Sequence, residues 1–244
     1  MRNVKVIVEY DGTDFFGFQK QPARRTVQGT LEWALAKITK EPVNVVGAGR
    51  TDAGVHALGQ VISFKTSGSI PTDRVSIALN SLLPRDVVAK GAEEVSEDFH
   101  ARFSATSRLY RYQILNGDYP SAICGRFVWY HREKLDLESM REAAKALIGR
   151  HDFASFAMAD AETRGTERDL FRLSIERCGD LIACELEANA FLHSMARIIV
   201  GTLVEVGDGR REPREISEIL QRADRNAAGK TAPACGLILV SVRY

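Results

Sequence analysis

Arg50 and Asp52 stand two residues apart in Gly47-Ala48-Gly49-Arg50-Thr51-Asp52-Ala53-Gly54-Val55-His56-Ala57, a guanidinium and a carboxylate set among three glycines. In an extended segment, residues two apart share a face, so the pair could meet or serve one ligand together, with Thr51 turned the other way. A cation beside a carboxylate favours its ionised form even where water is excluded, and an ionised carboxylate is what a nucleophile or a base requires. Glycines allow sharp turns and let a planar substrate approach the backbone. The same residues also suit a surface ion pair, the commoner use of Arg and Asp in a glycine-rich turn. A phosphate cradle is disfavoured, because GxxxxGK[ST] is absent and the lone GxG opens no helix with the third glycine in place.

The elements that must carry these residues can be read from periodicity. Val4-Lys5-Val6-Ile7-Val8-Glu9-Tyr10 is rich in β-branched residues and predicts a strand, and after a loop from Asp11 to Arg25 the spacing of Val27, Leu31, Leu35 and Ile38 predicts a helix. An extended Val43 to Val46, the glycine-rich motif, a strand near Val61 to Phe64, a helix from Thr72 to Leu83 closed by Pro84, and a strand from Val87 to Val95 complete a βαββαβ half. A second half begins with the strand Leu109 to Leu115 and a helix bearing Leu137, Met140, Ala144 and Leu147 behind Asp136 as its cap. Strands near Phe171 to Glu176 and Leu181 to Ala188, helices from Asn189 to Val206 and Glu215 to Arg222, and a strand at Leu237 to Val242 follow. The expected class is α+β: two similar halves of RRM-like or ferredoxin-like pattern, joined in a mostly antiparallel sheet flanked by helices, with a shared central cleft. The division falls at 1–104 and 105–244.

At 244 residues and 45% hydrophobic content, the chain can bury one large core or two modest ones. Its longest apolar runs, such as Ile198-Ile199-Val200, fall far short of a membrane span, and Met1 to Lys5 begins a strand rather than a signal peptide, so cytoplasm is the expected location. The four cysteines form no CxxC pair and predict free thiols. The five histidines make neither HxxxH nor HExxH, so no metal is expected. A net charge of +1 excludes a chain basic all over but leaves room for a local RNA-binding face. Candidate contributors are Lys20, Arg24 and Arg25 in the early loop, then Arg102, Arg108 and Arg111, then Arg164 and Arg168. Each is also what an ordinary solvated charge looks like, and Arg210 to Glu215 alternates in sign as such a surface does.

Taken as a whole, GAGRTDAGVHA resembles the catalytic motif of the tRNA pseudouridine synthase A family. Further matching segments follow in the family's order: Tyr10-Asp11-Gly12-Thr13, Phe16-Gly17-Phe18-Gln19, Thr26-Val27-Gln28-Gly29, Phe99 to Ala105, Arg108 to Tyr112, Phe191 to Arg197, and Thr231 to Leu237. Phe18 stands where the family often has Trp and Ala196 where it often has Val, both apolar exchanges. The resemblance implies isomerisation of uridine to pseudouridine at positions 38, 39 and 40 of the tRNA anticodon stem-loop, with no cofactor, by a homodimer that grips the tRNA elbow with one subunit and presents the anticodon arm to the other. It implies Asp52 as the essential carboxylate, Arg50 as a group that orients the flipped nucleotide or fills the space it leaves, and Arg197 as the basic partner of Asp52. It selects Tyr110 as the ring that stacks on the target uracil, where alternation alone would put Tyr110 and Tyr112 in the core. Lys20, Arg24 and Arg25 would meet tRNA phosphates, and His56 is either an RNA contact or a packed residue.

Two rival readings stand beside this one. A non-catalytic RNA-binding module shares the βαββαβ pattern but lacks the RNP1 signature and needs no Asp in a glycine-rich turn. A hydrolase using Asp52 as nucleophile lacks a second carboxylate or a metal set at useful spacing.

Overall fold

The computed structural model describes residues 1–158 and 165–244. In chain order the strands and α-helices are β1 (Arg2–Tyr10), α1 (Val27–Thr39), β2 (Val46–Gly47), β3 (His56–Thr66), α2 (Thr72–Asn80), β4 (Val87–Val95), β5 (Ser107–Leu115), β6 (Trp129–Tyr130), α3 (Leu137–Lys145), β7 (Gly149–Asp152), β8 (Glu167–Cys178), β9 (Leu181–Ala188), α4 (Met195–Gly207), α5 (Glu215–Arg222) and β10 (Leu237–Arg243). They form two compact units, one of Met1–Thr106 with Ile238–Tyr244 and one of Ser107–Leu237. The last residues, which the division at 104 assigns to the second half, therefore lie with the first unit.

In the first unit β1 is central, antiparallel to both β3 and β4, and β10 adds to β3 in parallel. Alternation explains its place: Val4, Val6 and Val8 are fully buried, while Lys5, Ile7 and Glu9 face outward. The Thr26 side chain accepts a hydrogen bond from Gly29 N to cap α1, and Leu31, Ala34 and Leu35 form its buried face. Of the expected extended stretch from Val43 to Val46, only Val46 pairs as a strand, together with Gly47 beyond it. The backbone of Val45 is satisfied instead by α1 side chains, its N–H donating to Glu32 Oε1 at 3.2 Å and its carbonyl accepting from Gln28 Nε2 at 3.0 Å. Helix α2 stops at Asn80, short of Pro84, because the Asn80 carboxamide makes paired 2.8 Å bonds with the Ala89 backbone that tie the helix end to β4.

In the second unit the strand order is β5-β9-β8-β7, antiparallel throughout, with β6 alongside β5 in parallel. Asp136 caps α3 as the sequence predicts, accepting from the amides of Glu138 and Ser139. Helix α4 is apolar on nearly all sides, with Ile198, Ile199, Val200, Leu203 and Val204 fully buried, the pattern of a helix enclosed by its unit. It begins at Met195 rather than Asn189. The Asn189 side chain accepts from Ala190 N at 2.7 Å and Asp169 N at 3.1 Å, and Ser194 is left-handed at φ 58°, so the chain cannot enter the helix earlier. Among the described residues no helix is long and apolar enough to cross a membrane.

Candidate active site

The glycine-rich motif is the connection from β2 to β3. Gly47 pairs with Ile62, and Ala48 N donates to Val61 O at 2.8 Å, after which the chain leaves the ladder until His56. The extended segment that alternation supposes at Arg50 to Asp52 is therefore a loop, since β2 ends three residues before Arg50. Burial nonetheless alternates: Arg50 is exposed, Thr51 buried and Asp52 half-buried. Val55 N donates to Asp52 O at 3.1 Å, closing a turn in which Gly54, at φ 79°, takes the left-handed position that a type II turn requires.

The early loop braces this turn. Phe18 N donates to Thr51 O at 3.0 Å and Gly54 N to Phe15 O at 3.3 Å, while Val27 N and Gln28 N, at the start of α1, hold Gly17 O and Phe18 O. Gly17 has φ 85°, and a Cβ there would stand 2.9 Å from Thr51 O and 3.3 Å from Ala53 N. No side chain fits that approach, so the backbone on either side of Asp52 is gripped by a segment more than thirty residues earlier in the chain.

Below the loop lies a buried polar group that sequence reasoning does not single out. Tyr10 Oη is 2.8 Å from Thr51 Oγ1, and Gln60 Nε2 donates to Gly49 O at 2.8 Å and to Tyr10 Oη at 3.3 Å. Burial pushes the Tyr10 phenol up to about 12 against the lowering effect of its bonds to Thr51 and Gln60, so it remains a protonated phenol at neutral pH. His56 is also inside, 3% exposed, with Nδ1 accepting from Gly12 N at 3.0 Å and standing 3.2 Å from the Asp11 carboxylate.

The early-loop cations are engaged within the unit. Lys20 pairs with the mostly buried Glu32 at 2.9 Å, Arg25 makes two 2.8 Å bonds to Asp86 and lies 4.0 Å over the Phe15 ring, and Arg24 lies 4.4 Å over Phe16. With Thr30 and the half-exposed Trp33 they line one shallow surface pocket. Among the described residues no group of His, Cys, Asp and Glu could hold a metal ion.

Tyr110 and Arg197 belong to the second unit. Tyr110 lies opposite Leu186 in the β5–β9 ladder, 6% exposed, with its ring edge-on to Phe191 at 4.9 Å. Tyr112, two residues on, donates its hydroxyl to Pro233 O at 2.7 Å, and burial pushes that phenol well up. Arg197 is half-buried, with Nε donating to Ala232 O at 2.8 Å and its carbonyl accepting from Ala232 N at 3.1 Å. Of the other basic candidates, Arg108 is buried and donates to Asn189 O, Arg111 pairs with Glu185, Arg168 donates to Glu167 O, and Arg102 is 5.7 Å over Phe103. Arg164 lies outside the described residues.

The sequence pattern described as tRNA pseudouridine synthase matches residues 6–104 and 143–244. Proteins named tRNA pseudouridine synthase A from Caldicellulosiruptor saccharolyticus, Acetivibrio thermocellus and Brevibacillus brevis are 49%, 48% and 47% identical over 244 residues, covering 100% of this chain and of each relative. Among solved structures, an archaeal box H/ACA ribonucleoprotein complex aligns at 11% identity and a TM-score of 0.34 over 97% of this chain and 46% of that one, a likeness too distant to argue from. The matching family and the full-length relatives are enzymes of tRNA, isomerases by reaction class. The chain belongs to the tRNA pseudouridine synthase family.

Proposed function

We propose that this enzyme converts uridine to pseudouridine at positions 38, 39 and 40 of the tRNA anticodon stem-loop. The observation that carries this reading is the GAGRTDAGVHA loop, braced as described, in a chain whose full length matches relatives named tRNA pseudouridine synthase A. The reaction breaks the N1–C1′ bond, turns the uracil and joins C5 to C1′. C5 loses its proton and N1 gains one, so the product is an isomer and no redox partner or group donor is consumed. The target base must first leave its stack, which binding energy and an aromatic platform supply.

Asp52 is the essential carboxylate. It adds to the ribose or to the base, or removes the C2′ proton on a glycal route. Arg50, exposed beside it, orients the flipped nucleotide. Tyr110 supplies the ring that stacks on the uracil, and Arg197 the cation that keeps the Asp52 carboxylate ionised, as the family resemblance implies. Lys20, Arg24 and Arg25 meet tRNA phosphates, and their intramolecular pairing means that phosphate must compete with Glu32 and Asp86 at two of the three. His56, being buried, contributes by holding the Asp11–Gly12 turn. The enzyme acts as a homodimer in the cytoplasm.

Primer extension after carbodiimide treatment, on unmodified transcripts carrying a single uridine at 38, 39 or 40, tests the assignment. Stops one residue before those positions support it. Modification elsewhere, or none with tRNA bound, overturns it. Sedimentation velocity of the enzyme at micromolar concentration tests the dimer, which a monomer mass would contradict.

A further inference from the structure

We propose that Gln60 and Tyr10 are positioning residues for Asp52, acting through a buried hydrogen-bond chain that fixes the loop on both sides of Arg50. The proposal rests on the assignment of Asp52 as the essential carboxylate. Gln60, on β3, is fully buried, and its carboxamide grips Gly49 from both ends: Nε2 donates to Gly49 O at 2.8 Å, and Oε1 accepts from Gly49 N at 3.4 Å. The second Nε2 hydrogen goes to Tyr10 Oη. The same phenol oxygen shares a 2.8 Å hydrogen bond with Thr51 Oγ1, in which either hydroxyl can donate. Gly49 and Thr51 flank Arg50, and Thr51 precedes Asp52.

Both anchoring residues sit on paired strands, on either side of a shift in the β1–β3 register. Val8 pairs with Gln60 and Tyr10 with Ala57 in the β1–β3 ladder. A loop with no ladder of its own thus takes its coordinates from two paired strands. Apolar side chains would fill the same space without the desolvation of a carboxamide and a phenol, so the polar pair is best explained by what it holds. A displacement of about 1 Å at a reacting group costs on the order of a hundredfold in rate.

The test compares Tyr10→Phe, Gln60→Leu, Gln60→Glu and Asp52→Ala by single-turnover rate, tRNA affinity and thermal midpoint. Tyr10→Phe removes one oxygen and should fold even if Gln60→Leu does not. The expected result is a rate about 10- to 100-fold lower for Tyr10→Phe, with tRNA affinity within about threefold of wild type. For Gln60→Glu the rate should rise relative to wild type as pH falls, because only the protonated acid can donate a hydrogen bond as the amide does. Full rate in Tyr10→Phe, a flat pH ratio in Gln60→Glu, or losses of rate and affinity in equal measure would each overturn the proposal. An active Asp52→Ala enzyme would instead remove the catalytic assignment on which it rests.

Discussion

At the scale of single residues, the candidate chemistry was legible because it is contiguous. Arg50, Thr51 and Asp52 can be read as outward, inward and outward, and their burial follows that order although no strand forms there. Tyr10 and Gln60 were not legible in this way, since nothing in the sequence joins positions 41 and 9 residues from Thr51; only the β1–β3 register does. Tyr110 separates ring from hydroxyl: Tyr110→Phe should keep tRNA binding and most of the base stacking, whereas Tyr110→Ala should lower the single-turnover rate by at least tenfold, base stacking being worth about 1–3 kcal/mol. A rate unchanged in Tyr110→Ala would take that ring out of the site. Glu41 gives a pH signature apart from catalysis. Bonds from the Ser67 hydroxyl, the Thr66 hydroxyl and the Ser67 and Gly68 amides hold its carboxyl down to about 2. A depressed folded-state value means its contribution is present above the unfolded value of about 4.3 and is lost as pH falls toward 2. Urea midpoints of wild type and Glu41→Gln should therefore differ at pH 7 and converge as pH falls from about 4.5 to about 2; a constant gap would contradict this.

Among the elements, those with strong local signals came through nearly unchanged. β4, β9 and α5 lie where periodicity puts them, and Asp136 caps α3. The departures occur where side chains compete with backbone ladders. Gln28 and Glu32 satisfy Val45 in place of a strand partner, Asn80 ends α2, and Asn189 delays α4. The short strands β6 and β7 carry too few residues for a period to register. The early loop braces the Arg50 to Asp52 segment from the other side, and Gly17 is its test. Gly17→Ala must adopt a left-handed φ at about 1–2 kcal/mol and push against Thr51 O. A modest fall in the urea midpoint should accompany a fall in rate well beyond tenfold, because the displaced atoms belong to the peptide preceding Asp52. Equal activity in Gly17→Ala would show that the brace does not set the loop.

At the scale of the whole molecule, the proposed tRNA contacts have to be made by a chain of near-neutral charge, +1 overall. With Lys20 and Arg25 already paired, Arg24, stacked on Phe16, is the early-loop cation most directly offered to phosphate. Arg24→Ala should weaken tRNA binding and flatten the dependence of log affinity on log salt by about one unit, as read by filter binding over a salt series. An unchanged slope would place the phosphate contacts elsewhere. The chain's division was only partly open to sequence reasoning. Strand periodicity marks Leu237 to Val242 as a strand, but nothing local says that it joins β3 of the first unit, a pairing across the length of the chain.

In the proposed reaction Asp52 drives an isomerisation in which uridine C5 exchanges its hydrogen for the glycosidic bond. Tritium release to water from an unmodified tRNA transcript labelled at uridine C5, with wild type and Asp52→Ala measured side by side, tests it most directly. The expected result is stoichiometric release by wild type and a rate at least a thousandfold lower in Asp52→Ala, on the order expected for loss of an essential nucleophile or base, with tRNA still bound. Release by both proteins would contradict the assignment of Asp52, and binding without release by wild type would contradict the reaction.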